Sequence, residues 1–148
     1  MAGGEKNSFS TPYFLVDEKK LVKNLEILKQ VSDRTGCKIL LAQKAFSMFY
    51  AYPLLRKYLA GTSASGLYEA KLGHENFGGE THVFSPAYRE EEFEELLQYA
   101  DDVVFNSPGQ VRKYAKKAKL AGESVGLRIN PECSTQEGHA IYVPCASF

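Results

Sequence analysis

Cysteine is scarce in this chain, and the three that occur, Cys37, Cys133 and Cys145, are odd in number and widely spaced. That pattern matches neither a disulfide framework nor a zinc ligand set, and it makes a reducing cytoplasm the default compartment. Charge of one sign is missing too: 18 basic residues balance 18 acidic ones, leaving a formal net charge of zero. No electrostatic footprint for nucleic acid or an anionic membrane surface results. No apolar run approaches the roughly 18 residues that would suggest a membrane span. The opening Met1-Ala2-Gly3-Gly4-Glu5-Lys6-Asn7-Ser8 has no hydrophobic signal region. G-x-G-x-x-G and Walker patterns are absent, and Gly78-Gly79 stands without the surroundings of a phosphate loop. His74, His82 and His139 lack metal-ligand spacing and read as surface or strand-end residues, so no metal is expected.

What the chain does contain is a regular beat of short apolar strands and amphipathic helical stretches. Its 148 residues suffice for one ordinary domain with a core. Strands are expected at 39–44, 62–65, 82–85, 102–106 and 124–130, with midpoints at Ala42, Ala64, Phe84, Phe105 and Leu127. Successive midpoints are 22, 20, 21 and 22 residues apart, the spacing of right-handed crossovers in a parallel α/β sheet. Asp17 caps a helix with the stripe Leu21, Leu25, Leu28 and Val31. A second helix carries Met48, Tyr52, Leu55 and Leu59 on one side, and Pro53 kinks it or marks its true start. A short helix over 67–72 is expected to stop at Gly73 as a left-handed cap. Glu90, Glu91 and Glu92 load the first turn of the next helix, favouring its positive dipole end. Ser107, Pro108 and Gln110 form a helix entry with cap, first-turn proline and capping box. Arg112, Lys113, Lys116, Lys117 and Lys119 make that helix's solvated face.

The chemistry collects at the carboxyl ends of these strands. They finish as Gln43-Lys44, Ser63-Ala64-Ser65-Gly66, Phe84-Ser85-Pro86, Phe105-Asn106-Ser107-Pro108 and Arg128-Ile129-Asn130-Pro131. In parallel α/β folds that edge is where ligands bind. Two long cations, Lys44 and Arg128, sit just at strand ends, which suits an anionic or electron-rich ligand. A lysine desolvated at the end of an apolar strand keeps some free amine at neutral pH and can form a Schiff base with an aldehyde. The plain alternative for Lys44 is a side chain whose head reaches water. Glu69 faces either such a ligand or solvent, and Tyr88 and Tyr142 either line a pocket or, by default, pack as aromatics.

The blocks 41–46, 62–70, Phe84-Ser85-Pro86-Ala87-Tyr88, 105–108 and Gly126-Leu127-Arg128-Ile129-Asn130-Pro131 together resemble carboxynorspermidine decarboxylases. These are alanine racemase-like, fold type III enzymes dependent on pyridoxal phosphate. The resemblance runs from about Thr11 to Cys145. It implies an α/β fold, a pyridoxal-phosphate-binding (β/α)8 TIM barrel of which about five of eight strands are present. One strand of a β-domain, Phe14-Leu15-Val16, precedes it. Residues 1–36 then lead into the barrel, and 37–148 form its incomplete first part.

By the same resemblance Lys44 is the lysine that joins the cofactor's aldehyde, and Arg128 lies near its phenolic oxygen. Ser63 stands where ornithine decarboxylases carry an acid near the lysine, and Ser63 and Ser65 complete the cofactor-binding candidates. The implied reaction is α-decarboxylation of carboxynorspermidine or carboxyspermidine to norspermidine or spermidine, by a homodimer. A complete barrel takes about 250 residues, so the chain is expected to be an N-terminal fragment, inactive as it stands. Near its end the family has an aspartate where Val143 stands, and a Pro-Gly continuation at Ser147-Phe148. The ring-stacking histidine, the acid for the pyridine nitrogen and the glycine-rich phosphate loop have no match. Two other readings are a non-catalytic pyridoxal-phosphate carrier of the same barrel type and a complete flavodoxin-like binding domain.

Overall fold

Helix α1 (Glu18–Thr35) is the first element in a computed structural model that describes residues 10–131. Readings that concern Cys133, His139, Tyr142, Val143, Cys145 and the end at Ser147-Phe148 lie outside these residues. After α1 come β1 (Leu40–Ala42), a 3-10 turn (Phe49–Ala51), α2 (Tyr52–Leu55), β2 (Gly61–Ala64) and α3 (Leu67–Asn76). Then follow β3 (Glu80–Phe84), α4 (Glu90–Leu96), β4 (Asp102–Phe105), α5 (Pro108–Leu120) and β5 (Ser124–Leu127). The five strands are all parallel and lie in chain order, β1-β2-β3-β4-β5. A flavodoxin-like domain needs the order 2-1-3-4-5, so that reading is wrong here. The singly wound order is the one that curls towards a barrel. The sheet is open among the described residues, with β1 and β5 as its edges.

Local chemistry explains the helix ends. Asp17 accepts a hydrogen bond from the Lys20 amide at 3.1 Å and starts α1. Pro53 falls in the first turn of α2, so it marks the helix start and does not kink it. The Ser107 hydroxyl accepts from the Gln110 amide at 3.2 Å to start α5. The Gln110 side chain reaches back to the amide of Asn106, one residue before the cap. Lys113 pairs with Glu90 and Lys117 with Glu94 across α4 and α5, and all five cations of α5 are exposed, as a solvated face requires.

The core has two parts on the helical side of the sheet. One packs Ala64, Val83, Val103 and Phe105 from the strands against Leu67 and Ala70 of α3, Phe93 and Leu96 of α4, and Tyr114 and Ala118 of α5. The other gathers Leu25, Tyr52, Leu55, Leu59 and Phe77 beneath Ile39 and Leu41.

Phe14-Leu15-Val16 pairs with none of the five strands and Phe14 is 98% exposed, while the β-domain this segment is expected to join is not among the described residues. Two expectations need correction. Helix α3 does not stop at Gly73 but continues to Asn76, and the left-handed glycine is Gly78. Gly73 is buried inside the helix because α3 presses there on Thr62 and Gln43, leaving no room for a side chain. In the stripe of α1 only Leu25 is buried; Leu28 and Val31 are exposed, because no described element covers that side of the helix.

Tyr88 ties the carboxyl ends of β3 and β4 together. Its hydroxyl donates towards the carbonyls of Val104 (2.7 Å) and Val83 (3.2 Å) and accepts from the Ser85 amide (3.2 Å). Burial pushes this phenol up to about 12, so the donor persists throughout the neutral range. Replacing Tyr88 with phenylalanine strands these backbone groups. The expected loss is about 1–2 kcal/mol, read as a lower urea midpoint at unchanged slope.

Candidate functional site

Side chains alternate across a strand, so the register sorts the sheet into two faces. Thr62, Ala64, Thr81, Val83, Val103 and Phe105 are buried beneath the helices. The opposite face carries Ala42, Ser63, His82, Asp102 and Ser124 in one row, each the register partner of the next. Phe84, Val104 and Gly126 lie two residues further along, towards the carboxyl edge. No described helix covers this second face.

At the β5 end of that edge the structure brings three residues together. The Arg128 amide still donates to the Phe105 carbonyl at 2.8 Å, so β5 and β4 keep their pairing up to Arg128. Its guanidinium lies 5.5 Å from the centre of the Phe84 ring, and Nη1 donates to Oδ1 of Asn106 at 3.2 Å. Asn106 is itself fixed, because its amide donates to Gln110 Oε1 at 2.6 Å while Gln110 Nε2 donates to the Pro86 carbonyl at 2.8 Å. Arg128 is thus a cation with a set direction, stacked on an aromatic face.

At the β1 end of the same edge Lys44 lies in the turn that follows β1 and is exposed. The expectation of a desolvated strand lysine is therefore corrected: β1 has only β2 beside it among the described residues, and the edge leaves the amine in solvent. Lys44 and Arg128 do not touch here; four strand spacings of about 4.8 Å separate their strands. Ser63 is half-buried between Ala42 and His82 in register. Ser65 is exposed, and its amide donates to Glu69 Oε2 at 2.6 Å, so Glu69 is occupied in holding the β2–α3 turn.

The sequence marks Phe84 and Asn106 as strand ends but not as the seat of Arg128. It also does not mark out Gln43 directly, which is 1% exposed. The signal is indirect: Ile39, Leu41 and Gln43 alternate, so Gln43 occupies an apolar position facing the helices.

The other end of the open face is different chemistry. Glu80 pairs with both Lys38 and His82, the latter at 3.0 Å, and hydrogen bonds from Lys38 and His82 hold its carboxyl below the usual range. Burial, with Asp101 and Asp102 nearby, raises that of Glu123. These half-exposed pairs contribute little to stability. His82 is a strand residue paired with an acid, and His74 packs edge-on to Tyr99, 5.6 Å between ring centres. No group of three or more His, Cys, Asp or Glu side chains suited to a metal occurs among the described residues, and no described helix is long and apolar enough to cross a membrane.

No family model matches the chain. It is 41% identical over 139 residues to a carboxynorspermidine/carboxyspermidine decarboxylase of Herminiimonas arsenicoxydans, covering 94% of this chain and 35% of that protein. It is 39% identical to a carboxyaminopropylagmatine decarboxylase of Synechocystis, covering 95% and 36%. Its fold matches the crystal structure of carboxynorspermidine decarboxylase complexed with norspermidine from Campylobacter jejuni. That match has a TM-score of 0.81 and 38% identity over 88% of this chain and 35% of that one. The chain thus spans about a third of the length of the relatives it matches.

Proposed function

We propose that this chain, a homologue of the carboxynorspermidine/carboxyspermidine decarboxylases over about a third of their length, supplies the first five barrel strands of a pyridoxal-phosphate-dependent decarboxylase of carboxylated polyamines. The observation that carries the reading is the singly wound order of the five parallel strands. It gathers Lys44, Ser63, Ser65, Phe84 and Arg128 at one edge of one sheet, with Lys44 after the first strand and Arg128 after the fifth. On strands one and five of eight, the two cations face each other across a barrel mouth. Residues 1–36 are then the lead-in and 37–148 the first part of the barrel.

The donor set fits the cofactor in part. Lys44 offers the exposed amine that an aldehyde requires, and Arg128, aimed by Asn106 over Phe84, suits an anionic ring oxygen. Ser63 and Ser65 add hydroxyls at the second strand's end. The acid for the ring nitrogen and the phosphate cup have no counterpart among the described strand ends. When bound, pyridoxal phosphate takes up the electron pair left as carbon dioxide departs. Lys44 Nζ would be the amine that holds the cofactor's aldehyde and, once released, would be placed to return a proton to the substrate's α-carbon. Arg128 would face the cofactor's ring oxygen from its seat on Asn106 and Phe84. The substrate class is a polyamine with an α-amino carboxylate on its aminopropyl arm, the feature common to the names of the relatives. This reading takes the working assembly to be a homodimer and its compartment to be the cytoplasm.

The test is chemical trapping. The chain is incubated with pyridoxal phosphate, reduced with borohydride and mapped by peptide mass. Lys44 is expected to carry the label in preference to the exposed lysines of α5, and Lys44→Ala to remove about nine-tenths of it. Label spread evenly over surface lysines would overturn the assignment.

A further inference from the structure

Directly behind Lys44 lies a polar cluster that the proposed chemistry does not use. Gln43 turns its side chain away from the open face and into the helical core. There its Oε1 accepts from the Tyr52 hydroxyl at 3.0 Å, and its Nε2 donates to the Glu69 carbonyl at 2.8 Å. Both Gln43 and Tyr52 are sealed from solvent, at 1% and 0% exposure. The backbone is held equally firmly. The Gln43 amide donates to the Ser63 carbonyl at 3.1 Å, and the amides of Ala45 and Phe46 both donate to the Ala42 carbonyl, at 3.0 and 3.2 Å. Lys44 is therefore the middle residue of a turn pinned on both sides.

A buried amide costs several kcal/mol unless both its ends are satisfied, and leucine fits a core position facing helices without that demand. The space around Gln43 is arranged for it. A Cβ placed on Gly73 would lie 3.0 Å from Gln43 Nε2 and 3.2 Å from Thr62 Cβ, so only glycine lets α3 approach closely enough for the Glu69 carbonyl to receive the amide. Thr62 Oγ1, against the same glycine, has no hydrogen-bond partner among the described residues and yields no competitor for Gln43. Glu69 in turn holds the Ser65 amide, so one set of bonds joins the ends of β1 and β2.

We propose that Gln43 is a positioning residue, whose buried amide, clamped between the Tyr52 hydroxyl and the Glu69 carbonyl, fixes the turn that presents the Lys44 amine to an aldehyde. The proposal rests on the reading of Lys44 as the aldehyde-binding lysine. Gln43 itself touches neither cofactor nor substrate; it restricts where Nζ can go. Tyr52 supplies the orientation of the amide, since its single proton selects Oε1 over Nε2.

The test measures borohydride-trapped pyridoxal phosphate at Lys44 relative to Lys116, an exposed lysine of α5, within the same molecules. Far-UV circular dichroism and the urea midpoint are recorded in parallel. Gln43→Leu is expected to lower the Lys44:Lys116 ratio about fivefold and Tyr52→Phe about twofold, with Lys116 labelling unchanged. Tyr52→Phe removes one hydroxyl and keeps the ring, so it decides the matter if Gln43→Leu fails to fold. Gln43→Glu gives a pH signature. Its burial raises the carboxyl's pKa, and the neutral acid can donate to the Glu69 carbonyl. The ratio should therefore recover between about pH 8 and about pH 6 while that of the unaltered chain stays flat. An unchanged ratio in folded Tyr52→Phe and Gln43→Leu overturns the positioning role alone. A ratio near one in the unaltered chain overturns the reading of Lys44, and the positioning role with it.

Discussion

Truncating Phe105 to alanine is expected to lower the stability of the folded chain by about 3–5 kcal/mol, enough to unfold much of it at ambient temperature. Phe105 is 0% exposed and ends β4 on the helical face. Its ring meets Tyr88 edge-on at 5.9 Å and lies near Tyr114 at 6.5 Å and Phe93 at 6.3 Å between centres. These four rings join the sheet to α4 and α5, so the cavity left by alanine has rigid aromatic walls that collapse poorly. Phe105→Leu keeps most of the volume and should cost about 1.5 kcal/mol. Urea unfolding of the two variants checks the ratio. Because Asn106 follows directly, the alanine variant should also loosen the seat of Arg128. A Phe105→Ala midpoint equal to that of Phe105→Leu would show that the aromatic group closes over the gap.

How much of this was legible in the sequence depends on how local each feature is. The five strands and their parallel order follow from the 20–22-residue beat, since a strand plus a returning helix occupies a nearly constant length. Entry into α1 and α5 was legible because Asp17 and Ser107 sit next to the amides they cap. The gathering of Lys44, Ser63, Ser65 and Arg128 at one sheet edge followed from parallel order alone. Exposure was not legible: the apolar run around Lys44 suggested a covered strand, but cover depends on what packs beside the edge. Gly73 misled because a glycine after a helical stretch has two physical uses. One is a left-handed cap, the other close approach, and the structure uses Gly73 for close approach to Gln43 and Thr62. The seat of Arg128 joins residues 22 and 44 positions apart in the chain, and no local pattern announces such a contact.

Gly61→Ala should destabilise the sheet by at least about 2 kcal/mol, although the substitution adds a single methyl group. Gly61 pairs in register with Leu40 on one side and Glu80 on the other. A Cβ added there would fall 2.7 Å from the Glu80 carbonyl carbon and 2.8 Å from its nitrogen, and nearer still to its oxygen. All three are backbone atoms, so no change of rotamer relieves the clash and the starts of β2 and β3 must separate. Gly79 reinforces the argument: its own Cβ would approach the Ala60 carbonyl oxygen to 2.5 Å and the Gly61 Cα to 3.3 Å. The chain entropy gained on replacing glycine, about 0.4–1 kcal/mol, opposes the loss but does not match it. Gly109→Ala is the control, because its nearest neighbour is the Ser107 hydroxyl at an ordinary 3.6 Å, and it lies in the first turn of α5. That variant should be neutral or slightly stabilising. Displacing β2 also disturbs the Ser63 carbonyl that accepts from the Gln43 amide on its other side, so Gly61→Ala should reduce trapping at Lys44 as well as stability. A Gly61→Ala chain as stable as Gly109→Ala would mean that β2 and β3 do not approach as closely as the register requires.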